Sequence, residues 1–191
     1  MRVLVAGIIG GIVMFIWGAV AHMVLGLGMM GMQFPTAEDK VLTSLHEGLG
    51  PQAGIYILPS FDPAKMSDKA ATAAYAEKTK SNPYAFMVYL PQGDDMTQMG
   101  PQLARQWASD TLSALALAFV MGLAAWSFSR RVTVAAVLAI FGWLSNLLPY
   151  WNWYRFPTDF TLAALIEQLV GWIIAGAAMA WWMGRAERRS L

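Results

Sequence analysis

Glu167 and Gln168 stand side by side in TLAALIEQLVGWIIAGAAMAWW (161–182), a stretch otherwise almost wholly apolar. An ionisable group in hydrocarbon costs roughly 2.5–3.5 kcal/mol on insertion scales, so it faces the interior of a helix bundle and takes a partner. The expected partner of Glu167 is His22, with Asn146 or Gln168 completing the hydrogen bonds and Arg155 as an alternative if its loop folds inward. At about 100° per residue, each of these polar groups shares a stripe with small residues. The stripes are Gly7, Gly11, Gly18 and His22; Ala135, Ala139, Gly142 and Asn146; and Ala164, Glu167, Gly171 and Ala178. Small residues let membrane helices approach closely, which makes each stripe a helix contact face. Two roles stay open for His22, Asn146 and Glu167: polar glue between helices, or a site for a proton, a lipid headgroup or a quinone. In a membrane enzyme, Glu167 and His22 would be the acid/base pair.

Other chemistries are thinner. Thioethers suit Cu(I), which makes Met29, Met30, Met32, Met96 and Met99, with His46, weak copper candidates, although methionine in an apolar chain mostly fills gaps. With His22 and His46 the only histidines, a bis-histidine haem is not expected, and zero cysteines exclude thiolate catalysis and Cys-ligated metal centres. The chain has no nucleophile-elbow, phosphate-loop or HExxH pattern. Asp94-Asp95 reads as an exposed acidic turn. Lys65–Lys80 is interrupted by Asp68 and Glu77, so no nucleic-acid partner is expected. No cofactor is expected either, apart from bound lipid.

The elements that must position these residues are membrane helices. Of 191 residues, 57% are hydrophobic and only 13% charged, where soluble domains run near a quarter charged. Four runs are long enough to cross a core of about 30 Å: Val3–Met30, Thr111–Phe128, Val132–Pro149 and Phe160–Met183. The expected fold is an α-helical integral membrane protein of four transmembrane helices, with a small extracytoplasmic α/β cap between helices 1 and 2. Its parts are helix 1 (1–30), the cap (31–109), and helices 2–4 (110–191) with an aromatic outer loop (149–158) and a basic cytoplasmic tail. Ala19-Val20-Ala21 resembles a signal-peptidase site, but the apolar run continues past it and favours an uncleaved first span.

Charge sets the orientation. Arg2, Arg130, Arg131, Arg185, Arg188 and Arg189 flank the spans on one side against Glu187 alone, while segment 31–110 holds nine acidic and six basic residues. By the positive-inside rule both termini are cytoplasmic and the long segment lies outside, in a bacterial inner membrane. With a rise of about 1.5 Å per residue, His22 lies roughly 9 Å, Asn146 about 5 Å and Glu167 about 12 Å below the outer ends of their spans.

Within the cap, Thr36 is placed to cap a helix bearing Val41, Leu42, Leu45 and Leu49, and Asp62-Pro63 starts a second helix to about Lys80. GIYILP and NPYAFMVYLPQG read as strands, parallel by the usual crossover geometry. Pro101 opens a helix running through Trp107 into the second span. PYWNWYRFPTD holds five aromatics in seven residues, an interfacial belt or a lid over something between the helices. LPYWNWYRFP, GIYILP and NPYAFMVYLPQG together resemble small four-helix bacterial inner-membrane proteins of no assigned activity. That resemblance implies architecture alone. The first functional expectation is an accessory or assembly subunit of an inner-membrane complex, acting through the glycine face of helix 1 and the cap. It would bind another membrane protein or a second copy of itself. The alternative is a small carrier or binding protein for a lipid, quinone or metal ion at the His22/Asn146/Glu167 cluster.

Overall fold

The computed structural model describes residues 1–188; Arg189, counted above among the basic flanks, lies outside them. In chain order the elements are α1 (Arg2–Ala19), α2 (Glu38–Leu49), β1 (Gly54–Leu58), α3 (Lys69–Ser81), β2 (Ala85–Tyr89), α4 (Gly100–Met121), α5 (Phe128–Gly142), α6 (Leu148–Tyr154) and α7 (Thr158–Arg188). The chain divides into two compact units, Phe34–Met96 and the helical remainder. Among the described residues, three helical stretches are long and apolar enough to cross a membrane: Arg2–Val24, Phe128–Tyr154 and Thr158–Arg188.

In the helical unit, α1 packs on both α4 and α7, and α5 packs on the other side of α7, whereas α4 and α5 scarcely touch. The neighbour order is therefore α4-α1-α7-α5. In lipid no hydrophobic drive holds helices together, so close approach over small residues must do it. Gly7 and Gly11 lie against Leu115 and Thr111 of α4, Gly10 against Ala114 and Met179, and Gly176 against Ala135. Ala6, Ala114, Leu117, Ala118, Met121, Ala135, Met179 and Met183 form the buried cluster. The methionines fill the gaps that the alanines and glycines leave.

Several boundaries differ from the sequence reading. α1 passes into a π-turn at Val20–Val24 and stops at Gly26, whose φ of 67° is left-handed, so the apolar run to Met30 is not all helix. The expected second span does not reach Phe128: α4 ends at Met121, and α5 begins after a turn capped by Ser127, whose Oγ accepts from the Arg130 N–H. The apolar part of α4 is thus only its second half, and its first half carries Arg105 and Asp110. Pro149 does not end the third span. It sits in the first turn of α6, where its missing N–H is not needed, and a π-turn at Trp143–Leu147 joins α5 to α6. The aromatic segment is consequently helical as far as Tyr154.

The second unit is thinly packed. No residue of α2, α3 or either strand is fully buried. β1 and β2 are antiparallel rather than parallel, with Ile55 opposite Val88 and Ile57 opposite Phe86. Leu58 pairs with Ala85, so the connection leaves and re-enters the sheet at one end and no crossover is needed. The connection doubles back on itself: the Phe61 ring lies 4.7 Å from that of Tyr75, and the Tyr75 hydroxyl donates to the Pro59 carbonyl at 3.3 Å. Asp62 caps only a short 3-10 turn; α3 proper begins at Lys69, capped by Asp68, whose carboxylate accepts from the Ala70 and Ala71 N–H groups. Thr36 caps nothing, because α2 begins after Ala37 without a side-chain cap.

Candidate functional site

The π-turn of α1 aims His22 at α7. Its Nε2 lies 3.0 Å from Glu167 Oε1, the partner expected from the stripes. A π-turn widens the helix by one residue and is frequent where a side chain is positioned for use. The ring is confined from the other side as well: Gly28 lies so close to Nδ1 that a Cβ there would collide with it. The Glu167 backbone is held in turn, its carbonyl accepting from Trp17 Nε1 at 2.8 Å. The absence of a side chain at Gly171 gives the Trp17 ring its place.

A second ion pair locates this one along the helices. At the far end of α1 and α7, Arg2 Nη1 lies 3.1 Å from Glu187 Oε1. Twenty residues separate Arg2 from His22, and twenty separate Glu167 from Glu187. At about 1.5 Å per residue that is about 30 Å, the thickness of a hydrocarbon core. The His22–Glu167 and Arg2–Glu187 pairs thus lie about one such thickness apart along α1 and α7.

The pair forms one wall of an open cavity of about 620 Å³ between α1, α4 and α7. From α1 come Met14, Phe15, Gly18, Ala19, His22 and Met23; from α7, Ala164, Glu167, Gln168 and Trp172. α4 supplies Met99, Leu103, Gln106, Asp110 and Ser113. A Cβ at Gly18 would meet no atom within 4 Å, in contrast to Gly7 and Gly11, so the glycine stripe of α1 is a helix contact at one end and cavity wall at the other. The glycine face of helix 1 is thus largely occupied by the protein's own α4.

Asp110 and Gln106 are the site residues that the sequence reading missed. Gln106 Nε2 donates to Asp110 Oδ1 at 2.9 Å, which orients the carboxylate. Their signal was present: Leu103, Gln106, Asp110 and Ser113 recur at spacings of three and four, one helix face. A span drawn from Thr111 stops one residue short of it.

The remaining expected residues separate. Gln168 lines the cavity. Asn146 does not: it sits in the second π-turn, where its Nδ2 donates to the Gly142 carbonyl and to Ser145 Oγ, both at 3.1 Å. α7 stands between α5 and α1, so Asn146 cannot join His22. Arg155 takes a left-handed backbone, φ 57°, at the end of α6, is exposed, and is not among the cavity residues. Of the copper candidates, Met99 lines the cavity, Met29, Met30 and Met32 do not, and Met96 and His46 belong to the other unit. Among the described residues no three His, Cys, Asp or Glu side chains gather as a metal site.

The cavity's chemistry is two carboxylates, one imidazole, two amides and a hydroxyl above a wall of Met, Leu, Phe and Trp, with no lysine or arginine. Such a lining accepts hydrogen bonds more than it donates them, and its apolar part takes a hydrocarbon chain. The three apolar helices mark a membrane protein, and the cleft between α1, α4 and α7 is its candidate ligand site. No protein-family model matches the chain, and neither a curated protein nor a solved structure does.

Proposed function

We propose that this is a bacterial inner-membrane binding or carrier protein that takes an amphiphile, headgroup first, into the cavity between α1, α4 and α7. The observation that carries the reading is that His22 and Glu167 face an open cavity instead of being sealed between helices. Polar residues at membrane depth are tolerated where they line such a cavity, which also accounts for Gln106 and Asp110 in α4 as the second of four spans. The lining favours a headgroup rich in donors, an amine above all, because two carboxylates outnumber the single imidazole. A quinone, which offers only acceptors, would leave both carboxylates of the lining without a donor. Arg2, Arg130, Arg131, Arg185 and Arg188 support cytoplasmic termini, with the cavity opening towards the outer face.

The test is photolabelling in vesicles with a long-chain alkylamine carrying a diazirine on its chain. Label is expected on α1 around Met14–Met23, on α4 around Leu103–Ser113 and on α7 around Ala164–Trp172. Equal labelling of the exposed α5 residues Val137 and Phe141 would overturn the reading.

A second reading, an accessory subunit or self-associating protein, draws on the other unit. Ile55 and Val88 lie opposite each other across the two strands and are 66% and 72% exposed, with Ile57 beside them also exposed. An apolar strand face of this kind suits a protein partner. Co-purification from native membranes should then show a companion that Val88→Asp releases; an unchanged profile sinks this reading.

A further inference from the structure

α2 is the helix that the fold leaves without support. It is 12 residues long, has no side-chain cap, contains Gly48 and buries none of its residues. Among the described residues no other helix or strand packs closely on it. Alone in water a helix of this length is marginal, because nucleation is costly and each further bond repays little. Its Thr43 and Ser44 hydroxyls bond back to the Asp39 and Lys40 carbonyls, which does not strengthen a helix. Some surface must therefore cover it.

The sequence of α2 is built for one. At about 100° per residue, Val41, Leu45, Leu49 and Leu42 fall within an arc of about 100°, with Lys40, Thr43 and Glu47 on the opposite side. Val41 and Leu42 are 45% and 57% exposed, and Phe34, four residues before the helix, is 80% exposed. Glu38 falls within the apolar arc, but in the first turn, where a carboxylate meets the positive end of the helix dipole.

What covers that face follows from where the chain is anchored. Gly31 packs on Asp159 and Phe160 at the start of α7, so only residues 32–37 separate it from α2. Fully extended, that tether reaches no more than about 25 Å. At the other end of the unit, 97–99 lead directly into α4, whose Met99 and Leu103 share a cavity with His22 and Met23 of the first span. Both tethers thus leave from the same end of the membrane helices, and a lipid surface lies within reach of α2. Met30, Met32 and Phe34 along the first tether are exposed and apolar, as suits a chain that follows a membrane boundary. Three carboxylates, Glu38, Asp39 and Glu47, stand against Lys40, so the contact rests on apolar area and not on attraction to anionic headgroups.

From these features we propose that α2 is an interfacial helix that lies along the lipid surface beside the membrane helices. Val41, Leu42, Leu45 and Leu49 enter the boundary between headgroups and acyl chains, and Lys40, Thr43 and Glu47 face water. This placement is independent of the reading given for the amphiphile cavity.

The chain has no cysteine, so single nitroxide labels can be introduced without background. The test uses the full chain in phosphatidylcholine vesicles, labelled in turn at Leu42→Cys, Leu45→Cys, Thr43→Cys and Glu47→Cys. Val137→Cys on the exposed side of α5 supplies the lipid-facing reference and Lys78→Cys on α3 the water-facing one. Power saturation compares collisions with oxygen, which concentrates in hydrocarbon, and with a water-soluble nickel chelate. Labels at Leu42 and Leu45 should resemble Val137, rich in oxygen collisions and protected from nickel, while Thr43 and Glu47 should resemble Lys78. Leu42, more than half exposed, carries the decision if a label at the half-buried Leu45 disturbs the helix. Equal nickel collisions at all four positions would overturn the proposal. Protection of Leu42 from both reagents would overturn it too, by showing that a protein surface, a partner or a second copy, covers the face.

Discussion

Glu167→Gln separates the two roles that a buried-face carboxylate can have. The substitution keeps side-chain size and removes the charge that faces both His22 and the cavity. If the pair only holds α1 to α7, its worth follows from its exposure: the His22 side chain is 55% exposed and that of Glu167 26%. Ion pairs so open to solvent contribute about 0.2–1 kcal/mol, and polar contacts between membrane helices average about 0.6 kcal/mol. For a chain of this size 1 kcal/mol moves Tm by roughly 2–4 °C, so Glu167→Gln should shift unfolding by about 4 °C at most. A charge-assisted hydrogen bond to an ammonium headgroup is worth about 1.5–3 kcal/mol, which makes binding of the charged ligand about 10- to 150-fold weaker. The assay is calorimetric titration of dodecylammonium, with dodecanol as the uncharged probe, beside a thermal melt of the same samples. Dodecylammonium binding should fall while dodecanol binding and Tm hold. Dodecylammonium affinity left intact in Glu167→Gln, with a Tm shift of no more than about 4 °C, would refute the reasoning and return the pair to helix glue.

Gly18→Leu fills the cavity where no neighbour lies within 4 Å, so it should abolish alkylamine labelling of α4 with an almost unchanged melt; Gly11→Leu, forced against the Thr111 backbone, should lower stability by about 1–3 kcal/mol in the same melt. Gly28→Ala places a methyl against the His22 ring and should drive it off Glu167, which histidine NMR shifts and a binding loss like that of Glu167→Gln would report. Glu187→Gln strips the Arg131 guanidinium of its charged partner inside the protein and should cost about 3 kcal/mol, read as a Tm lowered by roughly 6–12 °C; a shift under about 2 °C would show that Arg131 has another source of compensation.

What could be read from the sequence was what a single helix determines about itself. Periodicity put Glu167 on the face it uses and His22 on the stripe that meets it, because the angular position of a side chain depends only on its place in its own helix. Local hydrogen-bonding detail was less legible. The π-turns at Val20–Val24 and Trp143–Leu147 shift the register of everything beyond them, and neither composition nor the position of Pro149 announces them. The antiparallel strands go with a connection that folds back with Phe61 against Tyr75, a pairing that the hydropathy pattern does not encode.

Which polar residues share a site was decided by helix order, and that is a long-range property. Three stripes each carrying one polar residue look equivalent in sequence, so His22, Asn146 and Glu167 read as one cluster. Once the order is α4-α1-α7-α5, they are not equivalent. α1 and α7 can present His22 and Glu167 to each other, whereas α5, beyond α7, cannot bring Asn146 round to α1. The vacant place in the cluster falls to α4, which flanks α1 on the side where the helices part. The second span had been drawn from Thr111, one residue past Asp110. In the folded chain Asp110 is cavity wall and replaces Asn146 as the third polar group. A neutral amide in that place would have left one carboxylate balanced by one imidazole. With Asp110 there instead, the cavity holds an excess of acceptors, and this excess directs the search for a ligand towards amines.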